Sequence, residues 1–135
     1  FKLENGKFVF PAALEEDIGL IPSVQNALIY GDNRPFTVCL VVPDFFFLER
    51  YAEKQGLPAD LKTLIERRDV QDMIAGEITR SLKGKYGGYE IPKRFLFLTG
   101  AFSVENGLMN QTMKLKRRVV VEKYRALIEA QYGKK

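Results

Sequence analysis

Apolar residues recur along this chain with two periods, and the switches between them mark its elements. Phe1 to Phe10, F-K-L-E-N-G-K-F-V-F, holds two short alternating runs around Asn5-Gly6. That spacing predicts a β-hairpin, because Asn-Gly tolerates the positive φ angles of a tight turn. Pro11 suits the first position of a short helix over A-A-L-E-E-D-I-G-L, and Gly19 and Pro22 close it. Val24 to Tyr30 and Phe36 to Val42 read as paired strands joined by the turn formers Gly31 to Pro35. Asp44 is placed to cap a helix over Phe45 to Gln55, which Gly56 stops. Phe45, Phe46 and Phe47 share helical spacing with Leu48 and Tyr51, which predicts core packing for the trio.

Further helices are predicted at Leu61 to Glu66 and after Asp69, read as a cap. In the second, Val70, Met73, Ile74, Ile78 and Leu82 form one stripe at steps of three and four. The run G-K-Y-G-G-Y at Gly84 to Tyr89 is glycine-rich and basic. It lacks phosphate-loop spacing and follows a helix, so it reads as a flexible linking turn. Arg94 to Leu98 is a third strand. A final helix is predicted from about Arg117 to Tyr132, with Val120, Tyr124, Leu127, Ile128 and Tyr132 along one side, before a solvated Lys134-Lys135 end. These elements make an α+β domain: a small, mostly antiparallel sheet with an N-terminal β-hairpin and packed helices.

Composition narrows the chemistry. The chain has 135 residues, a single-domain length, and is 46% hydrophobic, enough for a real core. It opens in a strand pattern without an initiator Met, and reads as a piece cut from a longer protein. There is no histidine and one cysteine, Cys39, inside the apolar run T-V-C-L-V-V. Zinc sites and Ser-His-Asp or Cys-His catalysis are therefore not expected, and Cys39 reads as a core residue. The net charge of +4 suits handling of phosphates or anionic surfaces.

The cations concentrate in one place. Val104 to Arg118, V-E-N-G-L-M-N-Q-T-M-K-L-K-R-R, carries a turn dipeptide, an extended polar segment and then a helix start. Lys114 is set at the mouth of that helix beside Lys116, Arg117 and Arg118. Such a run is usually a solvated face, but a cation on a strand-to-helix connection can also be aimed at an anion.

Three stretches together resemble the C-terminal domain of adenylate-forming enzymes, and within them the long-chain fatty acyl-CoA synthetases. Phe1-Lys2, Gly6, Val9, Pro11 and Leu14-Glu15 roughly follow the pattern I-K-x-x-G-x-x-V-x-P-x-E-I-E, with Ala13 in place of its first glutamate. Tyr89-Glu90-Ile91-Pro92 is similar to the Y-K-x-P element before the last strand. Thr112 to Arg117 keeps the T-x-K-L-K-R of the long-chain branch. Thr112-Met113 stands where the wider superfamily has Ser-Gly, and Gln111 where the branch has Pro. The resemblance covers essentially all of residues 1–135 as a single C-terminal domain.

The resemblance implies a two-step ligase that makes an acyl-AMP and then an acyl-CoA, with this domain swinging between the steps. Lys114 would serve adenylation. The hairpin Glu4, Asn5, Gly6 and Lys7 would line the CoA channel, where a glycine lets pantetheine approach the backbone. Lys116, Arg117 and Arg118 are candidate phosphate contacts, and no metal site is implied here. ATP, CoA and Mg2+ would serve the intact enzyme, with none bound by this domain alone. The implied partners are the N-terminal domain of the same polypeptide, fatty acyl-AMP and CoA. The implied location is cytoplasmic, with peripheral membrane contact left open. The rival readings are a basic module that binds nucleic acid through the cluster with Lys93 and Arg94, and an anionic-membrane contact through Phe45 to Phe47. The order of the motifs favours the ligase domain, without nucleic acid.

Overall fold

A computed structural model describes residues 1–133; the expected solvated end at Lys134-Lys135 lies outside them. The elements are α1 (Pro11–Ile18), β1 (Val24–Tyr30), β2 (Val38–Pro43), α2 (Phe45–Gln55), α3 (Leu61–Glu66), α4 (Arg68–Leu82), β3 (Arg94–Phe97), α5 (Arg117–Lys123) and α6 (Arg125–Gly133). The architecture is α+β, as expected from the sequence. Strand order is β1-β2-β3. β1 and β2 pair antiparallel, and β2 pairs parallel with β3, so the sheet is mixed. The parallel pairing has a topological cause. Between β2 and β3 the chain runs through α2, α3 and α4, a crossover long enough to return to the starting end.

β2 is the middle strand, and all six of its residues are buried. Its side chains alternate between two cores, as the two-residue period of a strand requires. Cys39 and Val41, with Ala27 and Ile29 of β1, face α1 to α4, where Leu14, Ile18, Leu48, Leu64, Ile74, Ile78 and Leu82 are buried. Val38, Leu40 and Val42, with Leu28, face the other way onto Phe102, Leu108, Val120, Val121 and Ile128. The sheet thus lies between two helical layers. Full burial of one such aliphatic side chain contributes about 1.5–3 kcal/mol. Cys39 is fully buried, and burial pushes its thiol pKa well above the usual range.

The ends of the elements follow local chemistry, with some differences from the sequence reading. Asp44 caps α2 by accepting from the Phe47 amide at 2.9 Å, and Gly56 ends it in the left-handed region at φ 69°. α4 begins at Arg68, one residue before the expected cap; Asp69 sits inside the first turn and holds Arg67. The expected single C-terminal helix is two, broken at Tyr124 (φ −107°, ψ 15°). Along it Val120, Val121 and Ile128 turn inward, and Leu127 stays half exposed. In the aromatic trio only Phe47 packs against the core; Phe45 and Phe46 remain exposed. Helix geometry explains this: Leu48 and Ala52, one turn apart, own the buried face, which Phe46 cannot share.

The glycine-rich run is pinned rather than slack. Tyr86 donates its hydroxyl to Asp17 at 2.7 Å, and Glu90 accepts from the Gly87 amide at 2.9 Å.

Candidate functional site

The N-terminal hairpin is smaller than its alternation suggests. One bridge, Lys2 to Phe8, joins its arms. The Gly6 amide donates to the Leu3 carbonyl and the Leu3 amide to the Lys7 carbonyl, both at 2.9 Å. Only Gly6, at φ 86°, takes positive φ, and Asn5 does not. The turn is therefore the longer kind that ends in a single left-handed residue, rather than a two-residue turn needing two. Asn5 contributes through its side chain, whose Oδ1 accepts from the Lys7 amide at 3.0 Å. Leu3 and Val9 anchor the arms in the core, while Glu4, Asn5, Gly6 and Lys7 are exposed. A Cβ built on Gly6 would meet nothing within 4 Å. The turn thus offers bare backbone to whatever approaches it. Its position is fixed by two backbone bonds to the β1–β2 connection: Glu4 amide to Arg34 carbonyl at 3.0 Å, and Asn33 amide to Lys2 carbonyl at 2.8 Å.

Lys114 also lies on a hairpin. Met109 and Leu115 bridge antiparallel, and the Lys116 amide donates to the Leu108 carbonyl at 2.8 Å. The organiser inside it is Asn110. Its Oδ1 accepts from the Thr112 amide at 3.0 Å, the Thr112 hydroxyl at 2.7 Å and the Lys114 amide at 3.0 Å. Its own amide donates to the Lys114 carbonyl at 2.8 Å. Met113 adopts φ 63°, the left-handed conformation that a glycine takes without cost. The main chain at Lys114 is therefore held on both sides of its peptide unit, and its side chain is exposed.

The neighbouring cations separate into two kinds. Lys116 and Arg118 are exposed and, among the described residues, make no ion pair. Arg117 is engaged. Its two terminal nitrogens reach both carboxylate oxygens of Glu15 at 2.7 Å, and Nη1 also donates to the Ile29 carbonyl at 3.3 Å. Among the candidate phosphate contacts, this leaves Lys116 and Arg118 available and turns Arg117 to an internal partner.

The three stretches that carry the family resemblance meet in space. Lys7 of the first hairpin places its ammonium 4.8 Å from the centroid of the Tyr89 ring, a cation–π distance. Glu15, at the end of the first stretch, holds Arg117 at the end of the third. The two hairpins themselves are not joined by a hydrogen bond or ion pair among the described residues; they communicate through α1 and Glu15. Sequence reasoning missed Asn110 and the Glu15–Arg117 pair. Asn110 had one available signal: an Asn two residues before a Thr is a common side-chain-to-backbone turn. The ion pair, 102 residues apart in sequence, had none.

Other features do not converge on these loops. A surface hollow lined by Asp17, Leu20, Ile21, Glu77, Arg80 and Lys85 contains none of the candidate residues. Among the described residues no group of three or more His, Cys, Asp or Glu side chains is gathered to hold a metal ion. No described helix is long and apolar enough to cross a membrane.

The chain has relatives among known proteins. No family model matches it. It is 34% identical over 146 aligned positions to a peroxisomal acyl-CoA ligase 891 of Penicillium brevicompactum, and 28% identical over 134 to long chain acyl-CoA synthetase 4 of Arabidopsis thaliana. Each match takes in 98% of this chain but 20% of the relative, so the chain spans about one fifth of their length. Among solved structures, the adenylation domain of a carboxylate reductase from Mycobacterium chelonae superposes with a TM-score of 0.82 at 31% identity, covering 99% of this chain and 19% of that one. The fold is that of a segment of the adenylate-forming enzymes. Within that class its homologues are long-chain acyl-CoA synthetases, about one fifth of whose length it matches.

Proposed function

We propose that this chain is the mobile C-terminal domain of an ATP-dependent, AMP-forming long-chain fatty acid–CoA ligase. It supplies Lys114 to the adenylation step and the Glu4–Lys7 hairpin to the CoA channel. The carrying observation is the Asn110-organised hairpin, which fixes the backbone of an exposed lysine at the T-x-K-L-K-R match. Names of the relatives, acyl-CoA ligases and synthetases among them, support the class.

On this reading a fatty acid carboxylate oxygen attacks the α-phosphorus of ATP, and the bond to pyrophosphate breaks. Negative charge gathers on phosphate and carboxylate oxygens. An ammonium carried in on a rigid hairpin stabilises that charge more in the transition state than in the ground state. Closure also keeps water from the acyl-adenylate. After rotation, the CoA thiol attacks the acyl carbonyl and AMP leaves, with the Gly6 turn presented to the incoming pantetheine. Lys116 and Arg118 are positioned to steer phosphate. The nucleotide and acyl pockets are assigned to the remaining four fifths of the protein.

The test uses the full-length ligase, with pyrophosphate release and acyl transfer from preformed acyl-adenylate measured separately. Lys114→Ala is expected to slow adenylation by roughly 10²–10³-fold and to spare acyl transfer. Lys116→Ala should do much less. A larger adenylation defect at Lys116 would place the wrong lysine in the site. Equal loss of both half-reactions in Lys114→Ala would overturn the two-orientation cycle.

A further inference from the structure

We propose that Glu15 and Arg117 are positioning residues that set the aim of Lys114 by clamping its hairpin to α1 around the open edge of the sheet. The inference rests on the function proposed above for Lys114. β1 is an edge strand, and Ile29 turns its backbone groups outward. Glu15 Oε2 accepts from the Ile29 amide at 2.7 Å, and Arg117 Nη1 donates to the Ile29 carbonyl at 3.3 Å. Both outward groups of one residue are thus taken by two side chains that also bind each other through two parallel 2.7 Å contacts. The paired fork fixes orientation as well as distance. Glu15 is 11% exposed at its side chain, so an unpaired carboxylate there would be poorly solvated.

Three further facts tie this clamp to Lys114. Arg117 is the first residue of α5 and lies three positions after Lys114. The Lys116 side chain gives α5 no cap, so the helix start is not held by local capping. A cation in the first turn also opposes the helix dipole, and Glu15 offsets that conflict. From the other side, Glu15 belongs to α1, which follows the Gly6 hairpin directly. The pair is therefore the described side-chain link between the element that carries one candidate loop and the element that carries the other.

A misplacement of about 1 Å can cost a reaction on the order of 10²-fold. In the full-length ligase, Glu15→Gln and Arg117→Met are each expected to slow adenylation by about tenfold, with acyl transfer from preformed acyl-adenylate unchanged. The double variant should fall no further than the worse single one, because the pair acts as a unit. Arg117→Lys should recover only part of the rate, since an ammonium cannot reproduce the fork. Glu15→Gln keeps an oxygen for the Ile29 amide and decides the matter if Arg117→Met fails to fold.

Several outcomes would overturn the proposal. If both half-reactions fall together with the melting temperature, the pair merely covers the sheet edge. If Arg117→Met slows adenylation while Glu15→Gln is silent, Arg117 meets the phosphate directly. Lys114→Ala is measured alongside. A large Lys114 defect with silent clamp variants removes only the clamp; a silent Lys114 removes the functional reading beneath it.

Discussion

The two hairpins are both closed by main-chain bonds, and they differ in how much a side chain adds at the tip. In the Leu3–Val9 hairpin the backbone does the holding: bonds between main-chain groups close the turn and tie it to the β1–β2 connection. Its tip is glycine, and the space beside it is empty. In the Leu108–Lys116 hairpin main-chain bonds also join the arms, and a side chain organises the tip. One oxygen of Asn110 gathers three donors, and Met113 accepts a left-handed backbone. The difference teaches what each loop is fitted for. A turn closed by its own backbone can leave its tip bare, so another molecule can lie close to the chain. A turn organised from within by a side chain presents one outward group with a defined root.

The contrast breaks first at Gly6. Gly6→Leu in the full-length ligase should slow acyl transfer to CoA by roughly 10- to 100-fold and leave adenylation near wild type. The leucine meets nothing in its own chain, so its internal cost is backbone strain of about 1–2 kcal/mol. Gly107→Leu is the matched control: it has φ 80° and equally open space. It should cost similar stability in a urea titration and leave acyl transfer intact. Equal transfer defects in both variants would reduce the Gly6 effect to strain.

Asn110→Ala tests the other side. Removing the gathering oxygen should slow adenylation by about tenfold, less than removal of Lys114 itself, with acyl transfer spared. The expected stability loss is about 1–2 kcal/mol, because three donors lose one acceptor at an exposed site. A wild-type adenylation rate would mean that the hairpin holds its shape without Asn110.

Most of the fold was legible because it rests on local signals. The Asp44 cap, the Gly56 stop and the stripe on α4 are short-range patterns, and the structure keeps them. The mixed sheet was less legible. Periodicity identifies strands, but pairing direction depends on how the intervening helices return the chain. Met113 shows a subtler case. It stands where the wider superfamily pattern has glycine, and by residue type it marks a departure. Its φ of 63° shows the glycine-like backbone retained under a different side chain. Arg117 shows the limit from the other direction. Beside Lys116 and Arg118 it reads as one more exposed cation, and only the fold brings Glu15 to it.

The smallest expected effect concerns the turn that carries Tyr89, and hence the Lys7 contact. Tyr86 donates to Asp17, and that bond, with burial, pushes its pKa up to about 12. The ordinary tyrosine value is about 10. The folded state therefore keeps the proton more tightly than the unfolded state. The stabilisation is fully present below about pH 10 and is lost as the pH rises through about 12. Tyr86→Phe should flatten that part of the stability–pH curve. An unchanged slope between those values would show that the bond contributes nothing in solution.

β2 sits in both cores at once, with Cys39 and Val41 on one side and Val38, Leu40 and Val42 on the other. Mechanically it is a shared spine. A load applied at the Gly6 hairpin enters the layer containing α1, and a load at Lys114 enters the layer containing α5. Both layers are bonded to the same strand, and neither can slide without shearing its packing. In the proposed cycle the domain is pressed against its partner on different faces in the two half-reactions. On that reading the shared spine would let it turn as one stiff body, with the internal distance between the two hairpins preserved.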